Sequence, residues 1–200
     1  MSRLASGNIP EIINELHIES VFAPSCSTDV ASCYDYSSDS DLYAYDTKYS
    51  YSDWENSTPS FVNKTFHIIN NNKNQIVLLQ IDHKLMTAKN WTPGGTADCA
   101  LMTNQIFTMV EFKTNAFSED KIKNNAKNAK EQLHKTYKKI VRLFRDQGID
   151  LRSFFPIQEL YVVFDATLGV TSARADIMNL TMQPKNAKMP PTFFENKREY

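Results

Sequence analysis

A chain of 200 residues suits a single domain with room for a decoration, because domains run to about 100–200 residues. Its apolar content of 42%, with 12 Phe, 9 Tyr and 2 Trp, excludes wholesale disorder. The formal charge of −1 conceals a split: residues 1–60 carry ten acids and two bases, residues 61–200 thirteen acids and twenty bases. Near-neutrality therefore does not exclude a polyanionic partner. No run reaches the roughly 18–20 apolar residues of a membrane helix, and residues 1–16 lack the basic start and apolar stretch of a secretory signal. No membrane partner is expected. Three cysteines, Cys26, Cys33 and Cys99, are too few and too irregular for a disulfide framework, and nothing completes a zinc site around them. The expected compartment is a reducing cytoplasm.

The first element runs from Asn8 to Glu19. Asn8 suits a cap, Pro10 the first turn, and Ile9, Ile12, Ile13 and Leu16 recur at helical spacing, so one short helix is predicted. Residues 25–60 are dense in Ser, Asp and Tyr, with six of the nine tyrosines, and few aliphatics. They read as an inserted loop or irregular hairpin, a surface for a second copy or a partner protein. Phe66–Ile69 and Gln75–Ile81 flank the polar turn Asn70–Asn74 and predict a hairpin whose second strand is central. A loop at Trp91–Thr96 precedes two more strands, Ala97–Met102 and Ile106–Lys113, joined tightly at Asn104-Gln105.

A long helix follows, capped by Ser118, with Ile122, Ala126, Ala129, Leu133, Ile140, Val141 and Phe144 on one face and Gly148 as its stop. Between Lys121 and Arg145 it carries nine Lys or Arg and one acid. Glu159–Phe164 reads as another strand, again largely apolar. In the C-terminal extension from residue 171 a helical turn near Ala175–Leu180 is expected before Met189-Pro-Pro. The fold class is α/β (α+β), with a mixed sheet of four or five strands flanked by helices. Only 5 glycines and no Gly-rich phosphate loop argue against nucleoside-triphosphate and dinucleotide enzymes.

Glu111 and Lys113 lie two apart on a predicted strand, so both leave the same face. A two-residue loop at 104 and 105 sets Asp98 directly across from Glu111, with Cβ atoms roughly 4.5–5.5 Å apart. Like charges so placed destabilise a sheet unless something positive lies between them. A divalent cation answers that need: Mg²⁺ takes hard oxygen ligands and keeps waters while holding phosphate. Lys113, one strand step beyond, is placed to position or deprotonate water, or to offset charge on phosphorus.

Asp98, twelve intervening residues and Glu111-Phe112-Lys113 resemble the PD-(D/E)XK motif of the restriction-endonuclease-like nuclease superfamily, with Ala97 where the motif has proline. The order helix, three strands, helix, strand over residues 9–20 and 75–165 resembles that superfamily's core. The resemblance implies a single nuclease domain that hydrolyses nucleic-acid phosphodiesters, DNA or RNA, with Mg²⁺ or Mn²⁺. In it Asp98 and Glu111 are metal ligands and Lys113 the catalytic lysine. Many members add a glutamate from the first helix, for which Glu15 and Glu19 both qualify. Some add a helical Gln and Tyr: Gln132 occupies a suitable place, while Tyr137 is one residue too far along. Lys123, Lys127, Lys130, Lys138 and Arg142 are the expected nucleic-acid contacts. The alternative is an inactive chain on the same fold that binds protein or nucleic acid and leaves cutting to a partner.

Overall fold

A strand that is apolar on both faces has to be covered on both, and Gln75–Ile81 is such a strand. In the computed structural model, which describes residues 8–47, 51–87, 95–116, 118–167 and 189–200, helices cover one side of it and a second sheet the other. In chain order the elements are helices α1 (Glu11–Glu15) and α2 (Ile18–Phe22), then strands β1 (Tyr34–Ser37), β2 (Asp41–Asp46), β3 (Ser52–Glu55), β4 (Phe66–Ile69), β5 (Ile76–Gln80), β6 (Cys99–Met102) and β7 (Ile106–Phe112). Helix α3 (Glu119–Asp146), the short α4 (Leu151–Phe154) and strands β8 (Ile157–Val163), β9 (Thr192–Phe193) and β10 (Lys197–Glu199) complete the set.

The protein is mixed α/β, with two mixed sheets flanked by helices. One sheet has six strands in the order β1-β5-β6-β7-β8-β9, the other four in the order β10-β4-β2-β3. Strands β1, β5, β6 and β7 run antiparallel in turn, and β8 lies parallel to β7. That parallel step requires a crossover, which the 28-residue α3 supplies. One core lies between the first sheet and the helices, where Leu79, Ala100 and Met109 meet Phe22, Leu133 and Ile140. A second lies between the sheets, where Leu42, Trp54, Phe66 and Ile68 meet Leu78, Leu101, Val110 and Tyr161.

Several expectations need correction. A sheet of four or five strands was too small: there are six, plus a second sheet of four. Residues 25–60 are not a loose insertion. They give β1 to the edge of the first sheet and β2 and β3 to the second, because Leu42, Ala44 and Trp54 alternate inward beneath the tyrosines. Phe66–Ile69 and Gln75–Ile81 do not pair with each other. Each finds partners in a different sheet, and residues 70–75 carry the chain between them. The first helix is two short ones, broken at His17 (φ 48°), with Pro10 rather than Asn8 at the N-cap position. The long helix runs and stops as expected, Gly148 adopting φ 78°, and Tyr137 joins its buried face. The expected helical turn at 175–180 lies outside the described residues, while the last twelve residues add a parallel strand to each sheet.

Asn70 holds the crossing between sheets. It is fully buried; its Nδ2 donates to the carbonyls of Asp39 (3.1 Å) and Asn74 (2.9 Å), and its Oδ1 accepts from the Asn74 N–H (2.9 Å). Asn70→Ala removes all three bonds, which tie the buried amide to backbone groups of half-buried Asp39 and exposed Asn74. The expected loss of stability is about 1–3 kcal/mol, read as a lower midpoint in chemical denaturation; an unchanged midpoint would show that the crossing is held elsewhere.

Candidate active site

The turn between β6 and β7 sets the register on which the site depends. The Thr103 N–H donates to the Ile106 carbonyl (3.0 Å), and the Thr103 hydroxyl accepts from the N–H groups of Gln105 (3.3 Å) and Ile106 (3.2 Å). Cys99 then faces Val110 and Ala100 faces Met109. One residue further along, Asp98 stands across from Glu111, as the two-residue loop implied. Along β7, Phe107 and Met109 turn toward the helices and Val110 and Phe112 toward the second sheet. Alternation puts Glu111 and Lys113 on the helix side.

Glu111 is 2% exposed. Its Oε1 accepts from the Lys113 ammonium. Its Oε2 is buried with no hydrogen-bond partner. The Lys113 N–H donates to the Val163 carbonyl (2.8 Å), so the β7–β8 ladder fixes the base of that side chain. The Asp98 Oδ2 accepts from the Phe112 N–H (2.6 Å), and the Asp98 carbonyl accepts from the N–H groups of Ile81 (3.0 Å) and Asp82 (3.2 Å). The acid is thus pinned between β7 and the end of β5.

Two further acids reach the same sheet end. Asp82 is buried in a distorted helical turn, Ile81–Leu85, in which His83 takes a left-handed φ of 57°. The Asp82 Oδ1 accepts from the Thr96 hydroxyl (2.7 Å) and the His83 N–H (3.1 Å), and its Oδ2 lies 3.5 Å from His83 Nε2. Asp46 arrives from the end of β2 in the second sheet. It keeps solvent contact, yet crowding by protein atoms, and then Asp82, raise its carboxyl above the usual range, with Lys113 and His83 opposing.

The electrostatics follow from burial. Desolvation first, and Glu111 second, hold the Asp98 carboxyl well above the ordinary carboxylate range, against the Phe112 N–H. Desolvation likewise pushes Glu111 up to about 7, with Lys113 opposing it and Asp82 and Asp46 adding to it. The ion pair with Lys113 offsets only part of the burial cost.

Of the residues expected at the site, Asp98, Glu111 and Lys113 come together. Glu15 on α1 and Glu19 on α2 are exposed, and Glu19 accepts from the Tyr34 hydroxyl (3.3 Å) rather than from any of the three. Gln132 is half-buried on α3, one turn before Thr136 and on the same face. The Thr136 hydroxyl accepts from the Ala97 N–H (2.9 Å), which ties α3 to the residue preceding Asp98. Tyr137 donates to Gln158 instead of facing the acids. Lys123, Lys127, Lys138 and Arg142 are exposed on α3 and Lys130 is half-exposed; Arg142 also lies 3.8 Å from Asp146. Asp46, Asp82 and Thr136 were missed. Asp82 at the end of a central strand was a usable signal; nothing local marked the other two.

Among the described residues, no group of three or more His, Cys, Asp or Glu side chains is arranged to hold a metal ion by itself, and no helix is long and apolar enough to cross a membrane. Compared with protein-family models, with curated proteins and with solved structures, the chain matches none of them.

Glu111 gives stability a definite pH dependence. Its ordinary value is 4.5 and its folded value about 7, so between these the folded chain binds more protons than the unfolded one. The contribution is complete below pH 4.5 and is lost as pH rises through 7. From pH 5 to pH 8 the chain is expected to lose on the order of 3 kcal/mol through this group, with Asp98 acting in the same direction. Thermal melts check this: Tm should fall over that range, and Glu111→Gln should flatten the profile. A wild-type Tm that rises from pH 5 to pH 8 would contradict it.

Proposed function

We propose that the chain is a divalent-cation-dependent nuclease of the restriction-endonuclease-like class, acting on phosphodiester bonds of DNA and residing in the cytoplasm. The observation that carries this reading is the pairing of half-buried Asp98 with buried Glu111 at a strand end, with Lys113 held on Glu111 and Glu111 Oε2 left without a partner. The succession of antiparallel β5, β6 and β7, then α3 and parallel β8, supports the same reading.

The orphaned oxygen of Glu111 and the opposed Asp98 suit a hard cation, Mg²⁺ or Mn²⁺, whose remaining positions water and phosphate would fill. Such an ion, when bound, supplies Lewis-acid polarisation of a phosphoryl oxygen. The chain's own residues do the rest. Asp98 is kept in place through Phe112, Ile81 and Asp82, and Glu111 is shielded from solvent. Lys113 keeps a positive charge where negative charge grows on the phosphoryl group. Gln132, on the face of α3 that touches Ala97, serves to orient water or substrate. The exposed cations of α3 offer the polyanion a surface on which bound counterions are released.

Incubation of the purified chain with plasmid and with single-stranded DNA in Mg²⁺ or Mn²⁺ tests the reading. Wild type is expected to cut and Lys113→Ala to be slower by about 100-fold or more, with Asp98→Asn and Glu111→Gln likewise impaired. Salt-sensitive binding with no cleavage would instead make the chain a nucleic-acid-binding subunit, and neither activity would remove nucleic acid from the account.

Replacing Lys123, Lys127, Lys130, Lys138 and Arg142 together with Ala should weaken DNA binding. The slope of log K against log salt should become shallower by about 0.9 for each phosphate that the variant no longer neutralises. An unaltered slope would show that DNA lies elsewhere.

A further inference from the structure

Cys26 and Cys33 play no part in the site, and their spacing in the chain suggested no pairing. The fold nevertheless brings their Sγ atoms to 3.7 Å. Cys26 closes the end of α2, its N–H donating to the Phe22 carbonyl (3.0 Å). Cys33 ends a single 3₁₀ turn, Val30–Cys33, that begins at Asp29, whose Oδ1 accepts from the Ala31 N–H (3.1 Å). Both backbones are therefore fixed before the sulfurs meet. Cys26 is half-exposed and Cys33 fully buried. Both thiols lie beside the Thr28 hydroxyl, 3.5 Å from Cys26 Sγ and 3.7 Å from Cys33 Sγ. Cys26 Sγ also donates to the Lys84 carbonyl (3.3 Å), in the turn that carries Asp82.

We propose that Cys26 and Cys33 are a redox-active dithiol that closes to an intramolecular disulfide when it meets a low-molecular-weight disulfide. The Cys26 thiolate, the accessible one, attacks one sulfur of the reagent; a mixed disulfide forms and one reagent thiolate leaves and takes up a proton. Cys33, having lost its proton to solvent, attacks the Cys26 sulfur and expels the second reagent thiolate. Two protein thiols are oxidised by two electrons and one disulfide is reduced to two thiols. Bond formation closes the gap between the two Sγ atoms from 3.7 Å to the bonded distance of about 2.05 Å. Burial raises the Cys33 thiol above its ordinary value, so the second step quickens with pH. A pair of this kind remains reduced in a reducing compartment and responds to oxidative challenge.

Cys99 serves as an internal control, for it is buried in the core between the sheets, apart from the other two. The folded chain is incubated with oxidised glutathione, its free thiols are counted and its intact mass and disulfide-linked peptides are determined. Wild type is expected to lose two of its three thiols, to retain no glutathione and to yield a peptide joining Cys26 to Cys33. Cys33→Ser should stop at a glutathione adduct on Cys26 that reductant removes, and Cys26→Ser should keep both remaining thiols. A wild-type chain that keeps three free thiols, or that holds glutathione without closing the bond, would overturn the proposal. So would a linked peptide containing Cys99. Because the decisive readout is on wild type, a variant that fails to fold does not obscure the result, and none of it depends on nuclease activity.

Discussion

Two carboxylates facing each other across a pair of buried strands are the constraint around which the rest of this protein is arranged. Sheets tolerate like charges in that position poorly, and burial makes the cost larger. The chain meets it in part, through the Phe112 N–H on Asp98 and the Lys113 ammonium on Glu111. One oxygen of Glu111 is left with nothing to accept. The polar end of β7 is therefore short of one hydrogen-bond donor, and the proposed nuclease reading assigns that oxygen to a divalent cation.

The architecture makes this arrangement durable. Asp98 precedes β6 and Glu111 is the penultimate residue of β7, so one turn at Thr103 sets their relation. The parallel neighbour β8 receives the Lys113 N–H, and α3, which creates that parallel step, reaches back through Thr136 to Ala97. Backbone groups at the end of β5 bind the Asp98 carbonyl, and the second sheet sends Asp46 to the same place. Elements from both sheets and the longest helix thus converge on one sheet end. The same turn that follows β5 also bears on Cys26 through the Lys84 carbonyl, so the thiol pair and the acids share a structural neighbour.

Local pattern was readable along the long helix and the site strand. The stripe Ile122–Phe144 and Gly148 described α3 correctly, and the alternation of Glu111 and Lys113 with Val110 and Phe112 gave the right faces of β7. The register followed because a two-residue turn leaves little choice. Apart from the first helix, which left-handed His17 breaks in two, what failed was non-local. Phe66–Ile69 and Gln75–Ile81 look like hairpin partners, yet each pairs with different strands, and periodicity carries no information about partners. Residues 25–60 hide their strands because tyrosine and serine mask Leu42, Ala44 and Trp54, which suffice to line a thin inter-sheet core. The strands of the tail are two and three residues long, too short to leave a periodic signal. Asp46 and the meeting of Cys26 with Cys33 depend on how the second sheet and a 3₁₀ turn fold over the first, which no spacing rule encodes.

The most direct measurement is anomalous diffraction from crystals of the chain soaked in Mn²⁺. The account predicts a Mn²⁺ peak between the carboxylates of Asp98 and Glu111, within coordinating distance of Glu111 Oε2, and its loss in Asp98→Asn. Ordered carboxylates with no peak between them, in crystals that take up Mn²⁺ at other positions, would contradict it.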